Sequence, residues 1–302
     1  MSNAEQIKTV QKLQLYMESN IYKSITLKEL ADIAGYSPWH MARMFKELTG
    51  KTPFDYLRGL RLTKAALYLR DNDAKIIDVA LDFVFDSHEG FTRAFSKEFG
   101  VSPHQYSKTT PPVQLFLPYK VHDRSFYFKK EERKMDDKKI TKSVFVQVIE
   151  RPARKVLLRR GMKATEYFEY CEEVGCDTWA LLTSVKEAIY EPVGMWLPKS
   201  LIRPGTSQYV QGVELPLDYS NLVPEGYELI ELPPCTMMVF QGEPYDDDNF
   251  SDEIEEVWKH VEDFSPQLYG YDWDPEAAPR FQLEPRGYRG YIEARPVKKI
   301  TK

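Results

Sequence analysis

The sequence predicts a multidomain chain: an all-α front of two helix-turn-helix units, then an α+β back of two repeated strand–helix–strand units. Three observations carry this. First, residues 41–56 and 91–106 match at an offset of 50, with Arg43/Arg93, Phe45/Phe95, Gly50/Gly100, Pro53/Pro103 and Tyr56/Tyr106 in register. Second, the apolar period changes from that of helices to that of strands near Val144. Third, charge is uneven: residues 1–110 sum to +2, 111–140 to +3 and 141–302 to −10, against −5 for all 302 residues. The expected division is a front domain over 1–110, a linker over 111–141 and a back domain over 142–302. Hydrophobic residues at 42% supply a core for each half.

In the front, each repeat reads as a helix stopped by glycine, then a Ser/Thr N-cap and a proline at the first helical position. A shorter helix precedes each. Thr26 and Glu29 form a capping box for the first, and Gly35 allows the left-handed turn into Ser37-Pro38. In the second unit Val84 takes that turn position. A β-branched residue there should avoid positive φ, so this turn is expected to be shaped differently and to be one residue longer. Pro53 to about Asp71 reads as one connecting helix with Leu57, Leu60, Ala65 and Leu69 on its apolar face. Met41, Met44, Phe45, Phe91 and Phe95 recur at helical spacing and read as core.

Two such units joined by a helix, each closed by Gly-x-[Ser/Thr]-Pro-x-x-Tyr, resemble the DNA-binding domain of the AraC/XylS family over about residues 5–108. The segment Ala80–Pro103 carries most of the likeness. The resemblance implies a transcription regulator that inserts both second helices into successive major grooves, about 34 Å apart. Candidate contacts are Ser37, Trp39, His40, Ala42 and Arg43 in the first unit, and Ser87, His88, Glu89, Thr92 and Arg93 in the second. The resemblance places Trp39, Arg43, His88, Glu89, Thr92 and Arg93 at groove-facing positions. The two arginines can pair bidentately with guanine, and Glu89 can accept from cytosine. Lys46 and Lys97 suit phosphate.

The mixed charge run Lys129–Lys139 reads as a solvated linker. Beyond it, 144–152 and 155–161 read as one strand pair, and 227–233 and 236–242 as another. Helical stretches run through Trp179–Val185 and from Asp252 to Phe264. Further strands are 194–196, 209–216, 280–283 and 288–296. Four of the five tryptophans lie in this half, at 179, 196, 258 and 273, beside many tyrosines, which suits an amphipathic ligand groove.

Residues 239–245 and 287–297 make this half similar to the GyrI-like effector-binding domain. That resemblance implies a small, often cationic or aromatic molecule held between two repeats against aromatics and a buried carboxylate. Trp196, Tyr209, Trp273, Gln282, Tyr291 and Glu293 are the candidate ligand contacts. Gln282 stands where many relatives carry the glutamate, leaving Glu293, or second Glu214, as the replacement carboxylate.

Two other readings compete: a GyrI-like hydrolase of small reactive molecules, and a protein-binding module using the acidic run Glu243–Glu256. No Ser/His/Asp or Cys/His set is present in the sequence, and His260 is the back half's single histidine, so a non-enzyme is expected. Cys171, Cys176 and Cys235 lack the partners of a zinc site, so neither metal nor cofactor is expected. No apolar run reaches a membrane span and the first residues have no signal-like apolar stretch. The expected setting is the cytoplasm, with double-stranded DNA, a small effector and, as a candidate, RNA polymerase as partners.

Overall fold

The computed structural model describes residues 3–118 and 143–300, which fall into two compact units. The charge run 129–139 lies outside the described residues.

The first unit is helical: α1 Asn3–Ser19, α2 Leu27–Ala34, α3 Pro38–Thr49, α4 Pro53–Asp71, α5 Ile76–Asp82, α6 His88–Phe99 and α7 Pro103–Thr109. The punctuation of the sequence sets these ends. Thr26 and Glu29 make the reciprocal capping box of α2, and the hydroxyls of Ser37, Thr52, Ser87 and Ser102 each accept from a backbone N–H three residues on. Gly50 and Gly100 close α3 and α6 in the left-handed region, at φ 75° and 71°.

α4 is the shared element. Its first half buries Tyr56, Leu57 and Leu60 with Leu13, Met17, Leu30, Met41 and Phe45. Its second half buries Ala65, Ala66 and Leu69, and α4 also packs on α5, α6 and α7. Phe91, Phe95 and Tyr106 form an aromatic stack with centroids 5.5 Å apart at each step. Burial pushes the Tyr106 phenol up to about 12.

Two expectations differ from the structure here. Val84 does not avoid positive φ; it sits at φ 62°, beside the 72° of Gly35. The turns are closed alike, since Phe85 N–H donates to Ala80 O at 2.9 Å as Tyr36 N–H donates to Ala31 O at 3.1 Å. Packing of the helices it joins overrides the local preference of valine, at a cost of about 1–2 kcal/mol. The second turn is longer by two residues where one was expected: five separate α5 from α6, against three between α2 and α3.

The second difference concerns residues 111–118, placed in the linker by the sequence. Val113 and Leu115 are buried, Phe116 meets Tyr56 edge-on at 5.2 Å, and Phe116 N–H donates to Thr63 Oγ1 at 2.8 Å. Gly59 makes room for that ring, because a Cβ there would sit 2.6 Å from Phe116 Cδ1. This strand-like tail is therefore part of the first unit's packing.

The second unit is one antiparallel sheet with helices α8 Tyr167–Val174, α9 Thr178–Ser184 and α10 Phe250–Glu262. The strands are β1 Phe145–Arg151, β2 Arg154–Arg160, β3 Val193–Trp196, β4 Tyr209–Leu215, β5 Glu228–Leu232, β6 Cys235–Gln241, β7 Tyr271–Trp273, β8 Arg280–Leu283 and β9 Ile292–Lys299. Their order is β1-β6-β9-β8-β3-β4-β2-β5, with β7 added to β9.

The expected strand pairs do not form. β1 pairs with β6, and β2 pairs with β4 and β5. The connections explain why. Only Pro152-Ala153 joins β1 to β2, and only Pro233-Pro234 joins β5 to β6. A two-residue hairpin needs a primed turn with φ above zero, which proline's ring forbids and alanine disfavours. Each strand therefore leaves its sequence neighbour and pairs elsewhere. The resulting order is palindromic, matching β1 with β5, β6 with β2, β9 with β4 and β8 with β3.

Register sorts the side chains onto two faces. Val156, Leu158, Val193, Met195, Val210, Met237, Val239, Phe281 and Ala294 share one core. The other face carries the helices: Leu182 of α9 packs with Leu157, Val213 and Leu215, while Val257 and Val261 of α10 pack with Met238, Phe240 and Tyr291. Strands β3 and β8 pair at the middle of the sheet.

Candidate functional site

In the first unit, α3 and α6 turn their apolar sides inward and leave a polar face in solvent. Met41, Met44 and Phe45 are buried, as are Phe91 and Phe95. On α3, Trp39 is 71% exposed, an unusual position for an indole in a folded chain. Arg43 stacks over it at 5.7 Å and pairs with Glu47 at 2.8 Å. That pair raises the guanidinium's already high pKa. Trp39, Arg43 and Glu47 thus form one exposed i, i+4, i+8 row. His40 packs on Tyr36 at 5.1 Å, Ala42 is half-buried and Lys46 is exposed. Ser37 is the N-cap, so its hydroxyl already serves the backbone.

On α6, His88, Glu89, Arg93 and Lys97 are all exposed, and Ser87 is the N-cap. Thr92 is half-buried, and its Oγ1 is buried with no hydrogen-bond partner. The exposed N-terminal halves of both helices offer donors and acceptors at the spacing that reads base edges.

In the second unit, the candidates gather on the helix-bearing face. Pairing of Gly194 with Gln211 and Gln282, Trp196 with Tyr209 and Arg280, and Gln282 with Glu293 puts all of these on it. Glu293 is fully buried at the centre. Its Oε2 accepts from Arg280 Nη2 at 2.7 Å and its Oε1 from Arg295 Nε at 2.6 Å. The Tyr291 hydroxyl lies 2.8 Å from Gln282 Oε1 and 3.2 Å from Glu293 Oε2, and accepts from Trp258 Nε1 at 2.9 Å. Burial, then the Glu293 charge, pushes the Tyr291 phenol well up. Burial likewise raises Tyr209.

An aromatic cage surrounds Arg280. Its guanidinium carbon is 4.3 Å from the Trp196 ring centre and 5.7 Å from that of Trp258. Trp196 is fixed by a 2.8 Å bond from Nε1 to Thr165 O and by an edge contact with Tyr209 at 5.0 Å. Behind it, the Tyr209 hydroxyl faces the amides of Gln211 and Gln282 without a bond, and both amide atoms of the buried Gln211 are unpaired. Gly194 is required here, since a Cβ would collide with the Tyr209 hydroxyl and sit 3.0 Å from its Cζ.

The two candidate carboxylates lie in different surroundings. Glu293 lies on the helix-bearing face and is paired with two guanidiniums. Glu214 faces the opposite side of the sheet, opposite Val156, where Arg154 bonds it at 2.5 Å and Arg151 lies 3.2 Å away. Trp273 flanks Arg295 at 5.9 Å and Phe240 at 6.2 Å, with no ring contact to Trp196. Arg280, Arg295 and Gln211 were not among the residues the sequence singled out, and Trp258 was named only as one of the aromatics of this half. Their signal was available in the period of two: Arg280 and Gln282 share a face, as do Glu293 and Arg295.

The acidic run Glu243–Glu256 is largely structural. Glu243 accepts from Ser143 N–H, Asp247 accepts from Gly287 N–H at 2.9 Å, and Asp252 and Glu253 lie in the first turn of α10, where acids suit the helix dipole. Among the described residues, no group of three or more His, Cys, Asp or Glu could hold a metal, and no helix is long and apolar enough to cross a membrane.

Two helix-turn-helix units sharing a long helix, each with an exposed polar face on its second helix, define a helix-turn-helix domain of the DNA-binding class. The chain belongs to the AraC/XylS family. A family profile described as a helix-turn-helix domain matches residues 30–109. Among its relatives are the transcriptional regulator Rob of Salmonella typhimurium, 37% identical over 37% of this chain and 41% of that protein. Others are the probable transcription factor PqrA of Proteus vulgaris, 34% identical over 35% of this chain and 91% of that protein, and the multiple antibiotic resistance protein MarA of Escherichia coli, 33% identical over 33% of this chain and 80% of that protein. The chain thus spans about two-fifths of the length of Rob. A solved regulator with an AraC-type DNA-binding domain from Chromobacterium violaceum is 25% identical, with a TM-score of 0.33, over 35% of this chain and 96% of that one.

Proposed function

We propose that the chain controls transcription by reading two adjacent major grooves with α3 and α6, and that a small molecule bound on the helix face of the second unit modulates this. The observation that carries the DNA half is the matched pair of exposed arginines, Arg43 and Arg93, at equivalent positions of two capped helices. Trp39, His40, His88 and Glu89 contribute base contacts beside them, and Lys46 and Lys97 meet phosphate. Glu47 pairs with Arg43 until DNA replaces it as the guanidinium's partner. RNA polymerase is a candidate partner of the bound complex, and the cytoplasm is the setting such a regulator requires.

The second unit is read as a GyrI-like effector domain. The palindromic sheet supports two repeats of similar connectivity, and the aromatic cage with buried amides behind it supports a ligand site. A ligand acts on DNA only through unequal affinity for two arrangements of the protein. Catalysis is the weaker reading, because the Glu293 carboxylate is held by two guanidiniums and is not poised as a base.

Selection of bound fragments from genomic DNA by the purified chain, followed by titration of the best site, tests the first half. Each of Arg43→Ala and Arg93→Ala should weaken the selected site roughly tenfold to a hundredfold, with little change on unrelated DNA. Equal loss on both DNAs, or none, would remove base reading by these arginines.

A further inference from the structure

The ligand class follows from charge placement in the groove, and the inference rests on reading that groove as the effector site. A cation-binding pocket needs an unpaired carboxylate beside aromatic faces. Here the aromatic faces already hold a cation, Arg280, and the one buried carboxylate, Glu293, is met by Arg280 and Arg295. These three groups sum to +1. Tyr209 and Tyr291 stay neutral because burial raises both phenols.

What the site leaves unmet is also informative. Arg280 Nε, the Tyr209 hydroxyl and both amide atoms of Gln211 are buried and unbonded. Gln211 and Tyr209 are 1% and 0% exposed and share a sheet face with Trp196, so these polar groups are out of reach of bulk water. Arg280 is the most open charged group of the cluster, with 29% of its side chain exposed, against 23% for Arg295 and none for Glu293. A guanidinium between two indoles is weakly hydrated and keeps a planar edge for a carboxylate.

We propose that the groove binds an aromatic anion, a ring carrying a carboxylate, with Arg280 receiving the carboxylate and Trp196 and Trp258 the ring. Tyr209 and Gln211 supply the deeper polar contacts for a hydroxyl or carbonyl on that ring. A cationic aromatic of the same shape meets Arg280 as a like charge and finds no free carboxylate to offset it.

The test uses three probes of one shape on the full chain: naphthalene-2-carboxylate, naphthalene-2-carboxamide and a 2-naphthylmethyl trimethylammonium salt, titrated by calorimetry. The carboxylate should bind at least tenfold more tightly than the amide, and the ammonium more weakly than either. Arg280→Gln should abolish the preference for carboxylate, and Arg280→Lys should restore part of it. The wild-type order by itself decides the matter if Arg280→Gln does not fold. Tightest binding by the ammonium overturns the proposal and leaves the groove reading standing, as does carboxylate binding indifferent to Arg280→Gln. Saturable binding by none of the three up to millimolar concentration overturns both.

Discussion

Replacing Glu293 by glutamine tests whether the centre of the second unit is held by charge or by packing. The substitution keeps size and one carbonyl acceptor, but turns an NH2 group toward a guanidinium and removes the negative charge from between two positive ones. Breaking a fully buried ion pair costs about 3–5 kcal/mol. Arg280 and Arg295 are 29% and 23% exposed, so part of their charge can return to water, and solvent screening discounts the loss. The charge-assisted hydrogen bond, worth about 1.5–3 kcal/mol, is part of that same loss and is not added to it. The screened total is a destabilisation of about 2–3 kcal/mol. Urea unfolding followed by tryptophan fluorescence reads it well, because four of the five tryptophans lie in residues 143–300. The transition of this unit should move to lower urea with little change in slope. A loss below about 0.5 kcal/mol would instead show that the arginines are satisfied equally well without the carboxylate.

Three further outcomes follow from the same geometry. Gly194→Ala drives a methyl group into Tyr209, which is fully buried, so the second unit should lose about 1–3 kcal/mol; an unchanged melting temperature would show that the ring can shift. Phe116→Ala removes a half-buried ring from Tyr56 and Gly59 and should lower the first unit's stability by about 2 kcal/mol, whereas a true linker residue would change nothing measurable. The Cys176 thiol accepts a hydrogen bond from Cys171, which brings its pKa down to about 7. Its thiolate forms as pH rises through that value, so alkylation by iodoacetamide, followed by mass spectrometry, should reach half its maximal rate near pH 7. Removing the donor with Cys171→Ala should move that midpoint upward into the ordinary thiol range.

The helical half was largely legible because its signals are local. A capping serine or threonine, a proline at the first helical position and a terminal glycine act within four residues, and each sits in the structure where the sequence puts it. The repeat at an offset of 50 then supplied the second unit from the first. Val84 is where locality failed: its intrinsic preference is against φ 62°, yet the crossing of α5 and α6 requires it.

In the back half, the sequence by itself determined which segments are strands, that aromatics and carboxylates share them, and, through the period of two, that Glu214 and Tyr209 must face opposite sides. It also held the reason the adjacent strands do not form hairpins, in Pro152 and in Pro233-Pro234. What it did not contain was the alternative partner for each strand. Pairing of β1 with β6, and of β3 with β8, joins residues about 90 positions apart, and no local preference encodes such a choice. Only the assembled sheet brings Arg280 between Trp196 and Trp258 and sets Glu293 against two guanidiniums. The charge on this face comes from β8 and β9 and is set among aromatics of β3, β4 and α10, a juxtaposition that exists only once the strands have paired.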